Sequence, residues 1–151
     1  MGKYWNNQKY SECHLVSIWN AAMFYGVTVP VRYGDEYITD CEKGYAINGS
    51  CINSSHVVEK MHLRAVKGRL CWNWIKVNCP IEFSVFCHRG YHSVLGVGIN
   101  HKKKEVLLAN YDRGRLRWME VDKLIAIHNK NLHPVKWCQR RRLKDARMSK
   151  L

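Results

Sequence analysis

The apolar residues of the chain change their spacing between its first and second halves. From residue 13 to residue 25 they recur at helical intervals on almost every side, at Leu15, Val16, Ile18, Trp19, Ala22, Met23 and Tyr25. A helix that is apolar over most of its surface is a buried helix, and Gly26 is suited to cap its C-terminus. The pattern therefore predicts a central buried helix over residues 13–25, with Cys13 in its first turn.

The second half of the chain has the spacing of β-strands. Apolar and polar residues alternate from Ile81 onwards, and continuous apolar runs follow, separated by polar or glycine-containing turns. The pattern predicts strands over residues 81–87, 92–99, 105–111 and 116–121. Helices followed by an antiparallel sheet make an α+β fold, so we predict this class, with the N-terminal helix packed on the sheet.

Weaker signals predict the remaining elements. Short helices are expected over residues 34–42, 54–62, 70–77 and 122–128, an extended segment at 27–32 and a last strand at 135–138. The chain has 151 residues, enough for one domain of ordinary size. We divide it into one domain over residues 1–135 and a basic C-terminal tail over residues 136–151.

The charge of the chain indicates an acidic partner. Its net charge is +13, and the tail contributes strongly to it. The nucleic-acid-binding residues proposed in the tail are Arg140, Arg141, Arg142 and Lys144. Nucleic acid and an acidic protein surface both satisfy this charge, and a merely solvated terminal extension is the third interpretation. Trp137 either stacks on a base or anchors the tail to the domain.

The cysteines bear on the cellular compartment and on metal binding. There are seven, an odd number, and no two have the spacing C-x-x-C. No secretion signal and no apolar run of roughly 20 residues is present, so we expect reduced thiols in the cytoplasm and no membrane contact. Six of the seven fit small buried apolar residues better than ligands. A zinc site from Cys41, Cys51, His56 and His62 matches no common zinc module, and no metal or cofactor is expected.

The seventh cysteine, Cys13, has a position in the predicted helix that favours a reactive thiolate. The free amides and the dipole at the start of a helix favour a thiolate, which is a nucleophile for acyl transfer when an imidazole lies nearby. His92 begins one predicted strand and Asn110 ends the next. In a hairpin centred near residue 101 they lie opposite each other, and a shift of one or two residues brings Tyr111 or Asp112 there instead.

This order of features resembles the papain-like cysteine peptidases. The segments 90–98, Gly-Tyr-His-Ser-Val-Leu-Gly-Val-Gly, and 108–111, Leu-Ala-Asn-Tyr, carry the resemblance, which spans about residues 5–125. It is closest to the family-thirty-nine peptidases, which cleave double-glycine leader peptides, and to small relatives encoded by bacteriophages. It implies a papain-like fold in which Cys13 is the nucleophile, His92 is first base and then acid, and Asn110 orients the imidazole.

Two positions depart from the family pattern. His14 follows the nucleophile where these peptidases usually have Gly or Trp. The glutamine that binds the oxyanion lies six residues before the nucleophile in the family, whereas Gln8 lies five before Cys13 and Asn7 six before it. Either amide suits that role.

Two functional hypotheses follow. The first is a thiol acyl hydrolase that acts on a peptide or isopeptide bond of a peptide or protein substrate. The alternative is a catalytically inert papain-like scaffold that serves as a structural or nucleic-acid-binding component, for example of a bacteriophage particle.

Overall fold

The computed structural model describes residues 4–6, 13–27, 46–47, 50–51, 54–77, 79–87 and 90–140. The elements in these residues are helix α1 (Cys13–Phe24), strands β1 (Ala46–Ile47) and β2 (Ser50–Cys51), helix α2 (Ser54–Lys60), strand β3 (Leu63–Lys67), helix α3 (Trp72–Ile75), strands β4 (Ile81–Cys87), β5 (Gly90–Asn100), β6 (Glu105–Asp112) and β7 (Arg115–Glu120), helix α4 (Val121–Ile127) and strand β8 (Val135–Gln139).

An antiparallel sheet of six strands carries the fold. Its strand order is β3-β8-β4-β5-β6-β7, and β1 and β2 pair separately. Strands β4 to β7 follow one another as successive neighbours, whereas β8, the last strand among the described residues, lies between β3 and β4. The predicted α+β class is therefore confirmed, with the helices before the sheet and also between its strands.

Helix α1 covers one face of the sheet. Leu15, Ile18 and Trp19 have no exposed surface, and they share a core cluster with Leu95 of β5. Burial of this kind stabilises a fold by roughly 1.5–3 kcal/mol for each large apolar side chain. The predicted buried helix is confirmed, and it ends at Phe24, one residue earlier than expected.

The other face of the sheet has its own core. Phe83 and Val85 of β4 and Val94 of β5 are fully buried there with Leu124 of α4. Residues on alternate positions of a strand point to opposite faces, so the residues between them, such as Glu82, point toward α1. This alternation decides which side chains of β4 and β5 can reach Cys13.

Several elements differ from the prediction. The sequence predicted no element over residues 63–67, where strand β3 lies, because its half-exposed pattern gives a weak strand signal. Helix α3 has four residues instead of eight, because Cys71 has an extended backbone (φ −145°, ψ 157°) and the helix begins only at Trp72. Strand β8 includes residues 136–139, which the sequence division assigned to the basic tail. The predicted helix over residues 34–42 lies outside the described residues.

A pair of hydrogen bonds fixes the N-terminal segment on α1. The backbone N–H of Trp5 donates to Oδ1 of Asn20 at 2.8 Å, and Nδ2 of Asn20 donates to the Trp5 carbonyl at 3.0 Å. Asn20 has no exposed surface. The next residue, Asn6, accepts a hydrogen bond from the backbone N–H of Asn110 in β6 at 2.8 Å. Residues 5 and 6 therefore connect α1 with the end of β6.

We expect Asn20→Ala to lower the free energy of unfolding by about 2–4 kcal/mol, because the buried backbone groups of Trp5 lose their side-chain partner. Urea unfolding at constant pH measures this loss. Asn73→Ala is the matched control, since Asn73 is exposed on α3 and its substitution should change stability by less than about 0.5 kcal/mol. Equal effects of the two substitutions would show that Asn20 does not hold the segment.

Candidate functional site

Cys13 lies where the sequence predicted it, at the first residue of α1. Its thiol is free and half-buried. The first residues of a helix present unpaired amides and the positive end of the helix dipole, which favour a thiolate over a thiol. The buried body of α1 holds this end of the helix in place. Cys13 therefore lies at the end of α1 at which a helix presents these groups.

His92 and Asn110 lie together at one end of the sheet. Nε2 of His92 is 2.6 Å from the carbonyl oxygen of Asn110. A carbonyl oxygen only accepts hydrogen bonds, so Nε2 carries the proton in this contact. In the neutral imidazole the other nitrogen, Nδ1, is then the atom that can accept a proton. The sequence predicted this neighbourhood, but the partner in the structure is the backbone carbonyl of Asn110.

An irregularity in β6 produces this contact. Leu95 of β5 lies opposite Ala109, so the hairpin is centred one residue later than predicted. If this register continued as far as His92, Asp112 would lie opposite it. However, the pairing of β6 with β7 is irregular between Leu108 and Asp112, and Asn110 has a left-handed backbone with φ of 66°. Asparagine tolerates this conformation better than most residues.

Asp112, the alternative orienting residue, makes different contacts. Its carboxylate accepts a hydrogen bond from Nη1 of Arg117 at 3.1 Å and pairs with Nε of Arg115 at 3.5 Å. These contacts hold Asp112 within the turn between β6 and β7. Of the two predicted candidates, Asn110 is the one that contacts the His92 ring.

The two faces of β5 separate His92 from the residues beneath α1. Ser93 faces the helix, where its Oγ lies 3.1 Å from Oγ of Ser17. Because side chains alternate along a strand, His92 leaves β5 on the opposite side, opposite Val85 of β4. Among the described residues, the His92 ring is hydrogen-bonded to Asn110 and not to Cys13. A short distance between the Cys13 sulfur and the His92 ring stays a prediction.

A second imidazole lies next to Cys13 and has a carboxylate partner. Nδ1 of His14 donates to Oε2 of Glu82 at 2.6 Å. Glu82 also accepts hydrogen bonds from Nε1 of Trp137 at 3.0 Å and from the Ser93 hydroxyl. Since the Ser93 proton is used in that bond, the Ser17 hydroxyl donates to Ser93. Three side chains therefore donate to the Glu82 carboxylate, and a fourth, Ser17, donates to one of them, Ser93.

Electrostatics at His14 follow from this pair. The hydrogen bond to Glu82 raises the pKa of His14 above its usual value, burial opposes that rise, and the charges of Glu82 and Cys13 add to it. The side chain of Glu82 is 11% exposed and that of His14 is 44% exposed. The sequence had marked His14 only as a departure from a family pattern. The polar position of Glu82, alternating with apolar residues on β4, was the signal that could have identified its partner.

His14 and Glu82 form part of the wall of a surface cleft. Its volume is about 290 Å³, and its other polar walls include Lys67, Ser84 and His133. Leu132 and Val135 supply apolar surface. The cleft is large enough for one side chain of a bound peptide.

The remaining predicted residues are described only in part. Gln8 and Asn7 lie outside the described residues, as do Arg141, Arg142 and Lys144. Arg140 is exposed directly after β8, and its backbone N–H donates to the carbonyl of His62 at 2.6 Å.

The described residues also bear on metal binding and on membrane insertion. Within the described ranges, no group of three or more His, Cys, Asp or Glu side chains is placed to hold a metal ion. The helices found there are too short or too polar to span a bilayer.

Comparison with known proteins identifies the fold. No protein-family model and no curated protein matches the chain. Among solved structures, it is similar to the peptidase domain of Streptococcus ComA, a bifunctional ABC transporter involved in a quorum-sensing pathway. The TM-score is 0.63 at 12% sequence identity, and the similarity covers 91% of this chain and 98% of the other. The chain therefore has the papain-like α+β fold of a peptidase domain.

Proposed function

We propose that this protein is a cysteine peptidase or amide hydrolase with Cys13 as its nucleophile. The observation that carries the proposal is the position of Cys13 at the N-terminal end of a buried helix in a fold shared with a peptidase domain. The helix end favours the thiolate, and the sheet brings an imidazole and its hydrogen-bond partner together on neighbouring strands.

In this proposal His92 is the general base and then the general acid. The Asn110 carbonyl holds Nε2–H, which leaves Nδ1 to exchange a proton with Cys13. The backbone of Asn110 is itself held by Asn6. Because His92 leaves β5 on the side away from α1, the proposal requires the start of β5 to move on substrate binding, with Asn110, so that Nδ1 reaches the Cys13 sulfur.

The chemistry balances without a metal or a redox partner. The Cys13 thiolate attacks the carbonyl carbon of the scissile amide, and the amine leaves with the proton that the imidazole took from the thiol. Water then attacks the thioester, the imidazole takes one proton from it, and the carboxylic acid leaves as Cys13 is regenerated. The side-chain amide of Asn7 or Gln8 donates the hydrogen bond that stabilises the oxyanion of each tetrahedral intermediate.

We expect Cys13→Ala to abolish cleavage of a peptide that contains a double-glycine site, because no other group replaces the attacking sulfur. His92→Gln should lower kcat by at least about a hundredfold, the usual range for loss of general acid–base catalysis. Mass spectrometry of the cleaved peptide measures both effects. Cys71→Ala is the control and should keep full turnover, since the Cys71 side chain makes no hydrogen bond at the start of α3.

An inert scaffold gives the opposite results. Wild-type protein that cleaves no peptide from a broad library, together with Cys13 reacting with iodoacetamide no faster than Cys71, would support the structural alternative, including a component of a bacteriophage particle. Turnover that survives Cys13→Ala would exclude Cys13 as the nucleophile.

A second candidate function, polyanion binding, is favoured by exposed basic residues. Lys102, Lys103 and Lys104 are all exposed in the turn between β5 and β6, and Arg140 is exposed after β8. Residues 141–151 add five basic side chains and one acidic one. Trp137 is 4% exposed and donates to Glu82, which fits its role as an anchor and removes it as a base-stacking residue.

Deletion of residues 141–151 should weaken binding to DNA, RNA and heparin and flatten its dependence on salt, because fewer counterions are released. The deletion begins after Arg140 so that β8 stays complete. Fluorescence anisotropy over a series of salt concentrations measures the affinity, and the thermal unfolding midpoint confirms an intact fold. Equal binding by the two proteins would show that the tail is not the contact. Failure of the full chain to bind at low salt would leave an acidic protein as the partner.

A further inference from the structure

Two free cysteines, Cys79 and Cys138, lie opposite each other where β4 and β8 meet. Cys79 precedes β4 by two residues, and Cys138 is the fourth residue of β8. The ladder between these strands pairs Ile81 with Lys136. Antiparallel strands run past each other in opposite directions, so two further steps of the same register bring Cys79 opposite Cys138.

The hydrogen bonds at the intervening pair, Pro80 and Trp137, agree with this register. The backbone N–H of Trp137 donates to the Pro80 carbonyl at 2.9 Å. Proline has no N–H with which to return the bond. The Trp137 carbonyl instead accepts from the Cys79 thiol at 3.5 Å and from the Tyr25 hydroxyl at 2.8 Å. The Cys79 sulfur therefore lies beside the peptide group that leads into Cys138.

Opposite positions of this kind have the spacing that a disulfide needs. Because Pro80 and Trp137 are the hydrogen-bonded pair, Cys79 and Cys138 form the non-hydrogen-bonded pair next to it. The α-carbons of such a pair lie about 4.5 Å apart, and a disulfide joins α-carbons that are about 4.4–6.8 Å apart. Side chains of residues directly opposite each other also leave the sheet on the same face.

The surroundings of the two thiols fit this arrangement. Burial raises the pKa of Cys79, the hydrogen bond with Tyr25 opposes that rise, and the charge of Cys138 and a hydrogen bond with its side chain add to it. Both cysteines are partly exposed, so a small oxidant can reach them. Tyr25 continues to donate to the Trp137 carbonyl after Cys79 has lost its proton, so oxidation leaves that carbonyl with a donor.

We infer that Cys79 and Cys138 are an oxidation site, at which the two thiols close into a reversible disulfide that fastens β8 to β4. Under reducing conditions they remain thiols. With glutathione disulfide as oxidant, one cysteine thiolate attacks it and releases one glutathione, and the other attacks the resulting mixed disulfide and releases the second. Two S–H bonds are replaced by one S–S bond, and the two glutathiones carry the two electrons and two protons.

The ladder that this disulfide reinforces is the shortest in the six-stranded sheet. It has two register pairs, whereas β4 and β5 have seven. On one side of it lie β8 and β3, and on the other side lie β4 to β7. Two register pairs are therefore the backbone pairing that joins these two parts of the sheet. A covalent link at Cys79 and Cys138 opposes their separation.

The test oxidises the full chain with glutathione disulfide at pH 8, blocks the remaining thiols with N-ethylmaleimide and identifies linked peptides by tandem mass spectrometry. A disulfide between Cys79 and Cys138 should be the main product, and dithiothreitol should remove it. Cys79→Ser should prevent it. Cys87→Ser is the matched control and should leave it unchanged, because Cys87 lies at the other end of β4, where its thiol donates to the Gly90 carbonyl.

Oxidation should also raise the thermal unfolding midpoint of the wild-type protein by about 5–10 °C, because a disulfide that closes a long loop restricts the unfolded chain. This comparison of oxidised with reduced protein needs no variant. The midpoint of Cys138→Ser should not respond to the oxidant. Disulfides that join other cysteines, glutathione bound to Cys79 and Cys138 with no link between them, or a link that leaves the midpoint unchanged would overturn the inference.

The inference goes beyond the proposed function, and Cys13→Ala keeps the two apart. Cys13 lies at the start of α1 and takes no part in the disulfide, so this variant should form the link as wild type does while it loses peptide turnover. A link in a protein that cleaves no peptide would support the oxidation site and contradict the peptidase. Full turnover in a protein that forms no link would do the reverse.

Discussion

A carboxylate beneath a buried helix has to be satisfied by hydrogen bonds, because little water reaches it. Glu82 meets this condition with donors from three elements: His14 of α1, Ser93 of β5 and Trp137 of β8. Each of these donors can be in place only when its own element is docked. The carboxylate therefore specifies how α1 lies over the sheet more strictly than apolar packing alone, which tolerates shifts between similar side chains.

A different set of hydrogen bonds links α1 with the end of β6. The side chain of Asn20 is hydrogen-bonded to the backbone of Trp5, and the side chain of Asn6 accepts a hydrogen bond from the backbone of Asn110. A two-residue segment thereby links the helix that carries Cys13 with the strand that carries the hydrogen-bond partner of His92. Loops with few regular hydrogen bonds are usually mobile, and here side-chain amides replace the missing backbone partners.

The sequence predicted the parts of the fold that depend on burial and alternation. The apolar pattern of α1 and the strand pattern of β4 to β7 predicted the observed architecture, because burial of one face gives the apolar residues a regular spacing. It did not predict β3 or the contact through the Asn110 carbonyl. Strand β3 carries little buried surface, and the contact arises from a left-handed backbone at Asn110 that no side-chain pattern encodes. The Glu82–His14 pair joins residues far apart in the chain, so the alternation along β4 indicates which face Glu82 lies on but does not show that its partner is His14.

The place of β8 in the sheet has a consequence for the order of assembly. Within the part of the chain that the structure describes, β3 is an edge strand that pairs with β8, the last strand described there. Pairings between residues so far apart in sequence form late, since the entropy cost of closing a long loop comes before the pairing contributes stability. During synthesis, β4 to β7 can pair as successive hairpins while β3 waits for its neighbour. Trp137 arrives with β8, so the three donors of Glu82 are complete only after β8 has joined the sheet.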